Sequence, residues 1–165
     1  AIFNKLETGK ISNSLFLDNI SKKTNINSAE KIKAAWCAMI LDLPQKKIDF
    51  LTKLKKLYPL FLLSNTNAIH IDYFCKSIGI KQSDYFFSLF KKTYLSHEIG
   101  LRKPNQEAFQ IILNENHLTP EEVLFLDDSP QHIKSARKLG INCYHVTESC
   151  DITTLFPDKF QSILH

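Results

Sequence analysis

The stretch Val123-Leu124-Phe125-Leu126-Asp127-Asp128-Ser129-Pro130 decides the fold, because an apolar strand, two carboxylates and a helix start follow one another. Four consecutive apolar residues predict a short buried strand, and Ser129 is expected to cap the helix that Pro130 begins. In open α/β sheets, ligands bind at the carboxyl ends of the strands. Two adjacent acids are costly there unless a cation or a proton neutralises them. Asp127 and Asp128 therefore predict a metal site.

From residue 60 onward, the chain alternates apolar strand candidates with helical patterns. Strands separated by helices imply parallel pairing through right-handed crossovers. The predicted fold class is α/β, a three-layer Rossmann-like parallel sheet with helices on both faces. A capping box, Thr119-Pro120-Glu121-Glu122, marks a single turn before the third strand. Strands are predicted at residues 60–63, 93–96, 123–126 and 142–146, and helices at residues 68–78, 105–116 and 130–140.

Residues 1–43 differ from the rest, because they carry helical patterns and no strand candidate. A polar stretch at residues 21–28 separates short helices, and Pro44 begins the next one. The predicted domains are therefore a small α-helical cap at residues 1–43 and an α/β core at residues 44–165. A peripheral helical tail is expected after Asp151.

The bulk composition limits the kinds of partner. Of the 165 residues 44% are hydrophobic, and 21 Lys and Arg against 17 Asp and Glu give a net charge of +4. This scattered surplus suits an anionic small molecule and predicts no nucleic-acid partner. No apolar run approaches the roughly 20 residues of a membrane span, and the four cysteines form no close pair. A cytoplasmic protein with reduced thiols and no membrane partner is expected.

Two further polar groups follow strand candidates and are expected at the same sheet edge as the acids. The hydroxyl and backbone N–H groups of Ser64-Asn65 suit phosphoryl oxygens, although Ser and Asn are also common helix caps. Lys103, held ahead of Pro104, can neutralise a carboxylate or phosphate, although a lone lysine is usually a surface group. Oxygen ligands favour Mg²⁺, which takes one or two carboxylates and keeps several waters.

In the order Ser-Asn, Lys and Asp-Asp on successive strand–helix units, these groups resemble the haloacid dehalogenase-like hydrolase superfamily. The segment Leu-Leu-Ser-Asn-Thr-Asn at 62–67 is similar to the second motif of the family, Arg-Lys-Pro at 102–104 to the third and Leu-Asp-Asp-Ser at 126–129 to the fourth. The resemblance covers essentially the whole chain and is closest to phosphatase-type members with a small helical (C1-type) cap. Residues 1–43 resemble the distal part of such a cap.

The resemblance implies a role for each matching residue. Ser64 and the backbone of Asn65 would hold the phosphoryl group, and Lys103 would bridge the charges of the nucleophile and the phosphoryl group. Asp128 would ligate Mg²⁺ directly. Asp127 belongs with both the catalytic and the metal-binding groups and would act through water. The implied reaction is Mg²⁺-dependent hydrolysis of a small phosphorylated metabolite through an aspartyl-phosphate.

The chain departs from the family pattern in two places. The first motif, an Asp-x-Asp that supplies the nucleophile and the general acid and base, is absent, as is the central first strand that carries it. We therefore expect a truncated chain that is inactive by itself. His132 occupies the position, four residues after Asp128, where the family usually has Asn or Asp.

Three alternatives to a phosphatase make different demands on the sequence. A 2-haloacid dehalogenase needs no Mg²⁺, so the acid pair argues against it. A response-regulator receiver domain has its acid pair first and its Lys last along the chain, the reverse of the order here. A non-catalytic protein that binds phosphate or a partner stays open. The substrate and the oligomeric state do not follow from the sequence, and Trp36 and Met39 either line the pocket or belong to the core of the cap.

Overall fold

The computed structural model describes residues 1–154, and contacts divide the chain into two compact units. Unit 1 comprises residues 1–102, and unit 2 begins at Lys103. The predicted boundary between a cap and a core near residue 43 stays a prediction. The helical tail expected after Asp151 lies outside the described residues, apart from a 3₁₀ turn at Ile152–Thr154.

The elements alternate as an α/β chain should. In unit 1 the order is α1 (Ile2–Glu7), α2 (Asn13–Thr24), α3 (Ala29–Cys37), α4 (Gln45–Lys55), β1 (Phe61–Ser64), α5 (Ala68–Ile78), α6 (Ile80–Ser88), β2 (Lys92–Leu95) and α7 (Ser96–Ile99). In the described part of unit 2 the order is α8 (Glu107–Asn116), a 3₁₀ turn (Pro120–Glu122), β3 (Leu124–Asp127), α9 (Pro130–Arg137) and β4 (Asn142–His145). None of the described helices is long and apolar enough to cross a membrane.

β1 and β2 pair in parallel within unit 1, with Ser64 opposite Leu95. The turn after β1 leads into α5, whose N-cap is Asn67: its side-chain oxygen accepts a hydrogen bond from the N–H of His70 at 3.1 Å. Such a cap satisfies one of the backbone donors that a helix leaves unpaired in its first turn. Ser64 therefore lies at the carboxyl end of a strand, followed by a fixed strand-to-helix turn.

The helices at the start of the chain pack around aromatic side chains. The Trp36 ring contacts the rings of Phe3, Phe16 and His70, with centroids 5.2, 5.2 and 5.0 Å from its own. Helices this short are marginal in isolation, so this packing stabilises them. Trp36 is thus partly buried and packs against the core of this segment, whereas Met39 is 62% exposed. The buried members of the cluster are Leu6, Phe16, Leu17, Ile32, Cys37 and Ile69.

The stability of unit 1 should depend on pH through His70. Burial lowers the pKa of this imidazole, although its hydrogen bond to the Trp36 carbonyl and the charge of Glu7 act in the opposite direction. The unfolded chain then binds the proton more readily than the folded chain, so the stability is complete above about pH 6.5 and is lost as the pH falls. We expect His70→Gln to reduce this dependence by up to about 1.4 kcal/mol per pH unit.

Urea denaturation of both proteins at several pH values between neutral and mildly acidic measures the effect. Burial also lowers the pKa of His97, which therefore contributes to the pH dependence of stability with the same sign. His97 is unchanged in the variant and serves as an internal control. An identical slope in the variant and the wild-type protein would contradict the assignment to His70.

β3 and β4 pair in parallel within unit 2, with Asp127 opposite His145. α8 buries Phe109, Ile112 and Leu113, and the Phe109 ring meets the Phe125 ring of β3 edge-on at 5.2 Å. The predicted capping box is confirmed, because Glu122 accepts a hydrogen bond from the Thr119 N–H at 2.8 Å. The 3₁₀ turn that it closes leads directly into β3.

The fold class is confirmed as α/β with parallel strands between helices, and some details differ from the prediction. The described strands form two pairs, one in each unit, rather than one continuous sheet. Leu124 is 45% exposed, so β3 is less buried than its apolar sequence predicts, because a two-stranded sheet covers little of each strand. The prediction that Ser129 caps α9 through its side chain is wrong: the hydroxyl makes no such hydrogen bond.

Candidate functional site

Asp127 is the most heavily hydrogen-bonded member of the acid pair. Its Oδ2 accepts from the Lys103 ammonium at 2.7 Å, and its Oδ1 accepts from the Ser129 N–H at 2.8 Å and lies 2.8 Å from His132 Nδ1. The side chain is only 6% exposed. Both oxygens are therefore engaged by protein groups. This geometry favours an indirect role for Asp127 at a metal over direct ligation.

The electrostatics keep Asp127 ionised. Burial by itself would raise the pKa of this carboxyl group, but the hydrogen bond and the charge of Lys103 outweigh it, with help from Ser129 and His132, so the pKa lies below its ordinary value. A buried carboxylate is tolerated when it is both paired and hydrogen-bonded. His132, the departure from the family pattern, thus supplies a hydrogen bond to the acid that precedes the predicted metal ligand.

Asp128 has the opposite environment. The residue is exposed, and among the described residues its carboxylate has no hydrogen bond or ion pair. Its main-chain carbonyl lies 2.9 Å from Nε2 of His145, at the end of β4. The Asp127 carboxylate is thus fully hydrogen-bonded by protein groups, whereas the carboxylate of the adjacent Asp128 is available to a ligand.

The residues present fit a hydrated Mg²⁺. Among the described residues, no three His, Cys, Asp or Glu side chains are grouped closely enough to form a metal cage. Mg²⁺ does not require one, since it keeps several waters and takes only one or two carboxylates. Asp128 could supply such a carboxylate directly. Both oxygens of Asp127 already accept hydrogen bonds, so a metal-bound water would have to share an Asp127 oxygen with Lys103, Ser129 or His132.

Lys103 is held in place from several sides. The residue is 7% exposed, and its ammonium lies over the Phe125 ring, 5.4 Å from the centroid, as well as against Asp127. The peptide bond to Pro104 is cis, and the Ser135 hydroxyl of α9 donates to the Pro104 carbonyl. The lysine is therefore a fixed buried cation rather than the mobile surface group of the alternative interpretation.

Ser64 and Asn65 lie in unit 1, at the end of β1 and in the turn that follows. The turn is stabilised by Ser96 of α7, whose hydroxyl accepts from the Thr66 N–H and donates to the Thr66 carbonyl, both at 2.9 Å. Ser96 is fully buried and was not indicated by the sequence. A backbone turn held in this way presents N–H groups in a fixed direction, as an anion site requires.

The structure thus brings Lys103 and Asp127 together within unit 2, with Asp128 as the next residue along the chain, and it places Ser64 and Asn65 at a strand end in unit 1. The predicted convergence of these two groups at one sheet edge stays a prediction. Sequence reasoning missed His145, whose only signal is its position at the end of the strand after the acid pair. It also missed the direction of His132 toward Asp127.

Comparison with known proteins identifies the class of enzyme to which these motifs belong. The sequence pattern of the family described as haloacid dehalogenase-like hydrolase matches residues 9–146. The matched segment contains every residue that was singled out for the site. The chain belongs to the haloacid dehalogenase-like hydrolase family.

Individual relatives are phosphatases or hydrolases of the same family. The chain is 31% identical over 155 residues to D-ribitol-5-phosphate phosphatase of Bacteroides thetaiotaomicron, which covers 91% of this chain and 73% of that protein. A structure of a family enzyme from the same organism, in complex with magnesium and inorganic phosphate, is 37% identical with a TM-score of 0.82, covering 92% of this chain and 77% of the other. The structure of a predicted haloacid dehalogenase-like family hydrolase from Porphyromonas gingivalis is 26% identical with a TM-score of 0.80, and the match covers 100% of this chain and 79% of the other.

Proposed function

We propose that this chain provides the metal-binding and phosphoryl-binding part of a Mg²⁺-dependent phosphatase that acts on a small phosphomonoester. The observation that carries the proposal is the buried Lys103–Asp127 pair, followed along the chain by the exposed Asp128. The similarity to D-ribitol-5-phosphate phosphatase supports a polyol phosphate as the substrate. The magnesium and phosphate in the structure of a relative support the cofactor and the anion.

Each residue has a task that its surroundings suit. Asp128 holds the cation, which supplies positive charge against the phosphoryl oxygens. Lys103 adds a second fixed positive charge, and Asp127 keeps that charge oriented through the bond of 2.7 Å. Ser64 and the Asn65 backbone donate hydrogen bonds to the phosphoryl oxygens from the turn after β1. In this proposal the cap at residues 1–43 selects the rest of the substrate.

The nucleophile of the proposed reaction is an aspartate outside these 165 residues. No Asp-x-Asp occurs anywhere in the chain. In the proposed mechanism the first Asp of that motif attacks phosphorus, the alcohol leaves with a proton from the second, and water then hydrolyses the aspartyl-phosphate. The same absence favours a second candidate, in which this chain binds Mg²⁺ and phosphate without turnover.

Two measurements test the proposal. Calorimetry should show Mg²⁺ binding to the 165-residue chain and inorganic phosphate binding that strengthens when Mg²⁺ is present. Phosphate release from D-ribitol 5-phosphate should be absent for this chain and should appear, with Mg²⁺, in a form extended by an upstream strand that ends in Asp-x-Asp.

The outcomes separate the candidates. Mg²⁺-dependent release by the 165-residue chain alone would overturn the assignment of the nucleophile to another segment. An upstream sequence without Asp-x-Asp, together with tight Mg²⁺ and phosphate binding, would favour the non-catalytic candidate. Failure to bind either ion would remove the proposed site.

A further inference from the structure

Three buried side-chain nitrogens of unit 1 have no hydrogen-bond partner among the described residues. They are Nε1 of Trp36, Nδ2 of Asn67 and Nδ1 of His97. A buried donor without a partner costs about 1–3 kcal/mol, and most buried polar groups in folded proteins are satisfied. The indole N–H of a buried Trp in particular usually finds a partner. Each of these atoms therefore needs a partner from outside the described protein groups, either a ligand or an ordered water.

The three residues belong to one continuous set of contacts around the turn that follows β1. His70 connects two of them: its ring stacks on that of Trp36, its Nε2 lies 3.0 Å from the Trp36 carbonyl, and its N–H donates to Asn67. His97 follows Ser96, which is hydrogen-bonded to Thr66, the neighbour of Asn67. The same turn carries Ser64 and Asn65, the proposed phosphoryl-binding residues.

The chemistry of these atoms selects the kind of ligand. The indole Nε1 can only donate, and the Asn67 amide is oriented by its Oδ1, which accepts from His70, so that Nδ2 is also a donor. The ligand must therefore offer acceptor oxygens. Burial lowers the pKa values of both His70 and His97, so neither imidazole is charged near neutral pH. The charges that act on the two imidazoles are the carboxylates of Glu7 and Glu98. Neutral donors near carboxylates suit hydroxyl oxygens better than a second anionic group.

We propose that Trp36 and Asn67 form a hydroxyl-binding subsite that recognises the polyol part of the phosphomonoester. The inference rests on the proposed function for the location of the phosphate, and it adds the residues that bind the polyol part of the substrate. Phe3 stacks on the Trp36 ring and is 41% exposed, so it is the side chain that must move for a ligand to reach the indole.

The single tryptophan makes binding directly measurable. Trp36 is the only Trp of the chain, so all indole emission reports on this position. Titration of the 165-residue chain with D-ribitol 5-phosphate and with ribitol should shift the emission to longer wavelength, since a hydrogen bond at Nε1 stabilises the polar excited state. Inorganic phosphate should leave the emission unchanged.

Two variants remove the donors with little disturbance of the packing. Trp36→Phe deletes the N–H and keeps an aromatic ring, and Asn67→Thr keeps an N-cap oxygen and removes the amide nitrogen. Calorimetry should show D-ribitol 5-phosphate binding weakened about 5- to 10-fold by each change, with inorganic phosphate binding unaffected. Ser28→Ala, which removes the cap at the end of α3 opposite Trp36, is the control for loss of stability alone.

Every outcome decides the inference. Wild-type affinity for D-ribitol 5-phosphate in both Trp36→Phe and Asn67→Thr would overturn it and assign the two donors to ordered water. Losses that Ser28→Ala reproduces would show a merely structural effect and also overturn it. If inorganic phosphate fails to bind but ribitol still shifts the emission, the proposed phosphoryl site is wrong and the hydroxyl subsite stands.

Discussion

Replacing Lys103 with methionine should lower the free energy of unfolding by about 3–5 kcal/mol. The change removes the ammonium that lies 2.7 Å from Asp127 and keeps a side chain of similar length over the Phe125 ring. It leaves a carboxylate that is 6% exposed with Ser129 and His132 as its remaining partners among the described residues. An uncompensated buried charge is far more costly than a lost surface ion pair, so the effect should be among the largest of any single substitution. Urea denaturation followed by circular dichroism measures it.

The chain offers a matched control for this prediction. Lys76 and Asp72 form an ion pair of nearly the same length, 2.8 Å, with side chains that are 74% and 64% exposed. Lys76→Met should cost less than about 1 kcal/mol, because exposed pairs contribute little. Adding Asp127→Asn to Lys103→Met should recover part of the lost stability, since it removes the stranded charge. Equal small losses in Lys103→Met and Lys76→Met would show that the Lys103–Asp127 pair is not buried in solution.

Asp128→Asn should abolish most of the Mg²⁺ affinity of the chain while leaving its folding intact. The Asp128 side chain is exposed and makes no described hydrogen bond or ion pair, so its charge contributes little to stability. Changes to groups that merely orient a metal ligand typically weaken binding about 10- to 100-fold, and loss of the ligand itself should cost at least as much. Calorimetric titration with Mg²⁺ and a thermal melt of the metal-free protein give the two readings.

Asp127→Asn is the informative counterpart. It removes a charge that is already engaged by Lys103, so it should lower the melting temperature of the metal-free protein and weaken Mg²⁺ binding less than Asp128→Asn does. The opposite order of the two affinities would move the metal to Asp127. Such a result would require Lys103 or His132 to release the carboxylate when the cation binds.

The sequence predicts where the strands lie better than how much of them is covered. An apolar run followed by polar turn residues identifies β1 and β3, and helical spacing predicts that α8 buries Phe109 and Ile112. These signals are local. The exposure of Leu124 depends on how many strands flank β3, which no local pattern encodes. The helix α6 was not predicted, because Phe86 and Phe87 have strand propensity and become helical by packing on Phe74 at 5.5 and 6.1 Å.

The candidate site likewise has a part that the sequence predicts and a part that it does not. The motifs identify Lys103, Asp127 and Asp128, because their order along the chain is informative. The sequence does not tell which of the two aspartates has its oxygens hydrogen-bonded by the protein. That depends on the position of the Lys103 ammonium and on the direction of the Ser129 N–H. Nor does it indicate His145, whose contact to the Asp128 carbonyl arises from the register of β3 and β4.

The described hydrogen bonds of the acid pair join residues that are close along the chain. The separations are 24 residues for Lys103, 5 for His132 and 2 for Ser129 from Asp127, and 17 for His145 from Asp128. Closing short loops costs little entropy and favours fast formation of the contacts. The charged framework around Asp127 and Asp128 is therefore encoded in one contiguous segment, residues 103–145. The short separations within this segment favour assembly of the framework early in folding.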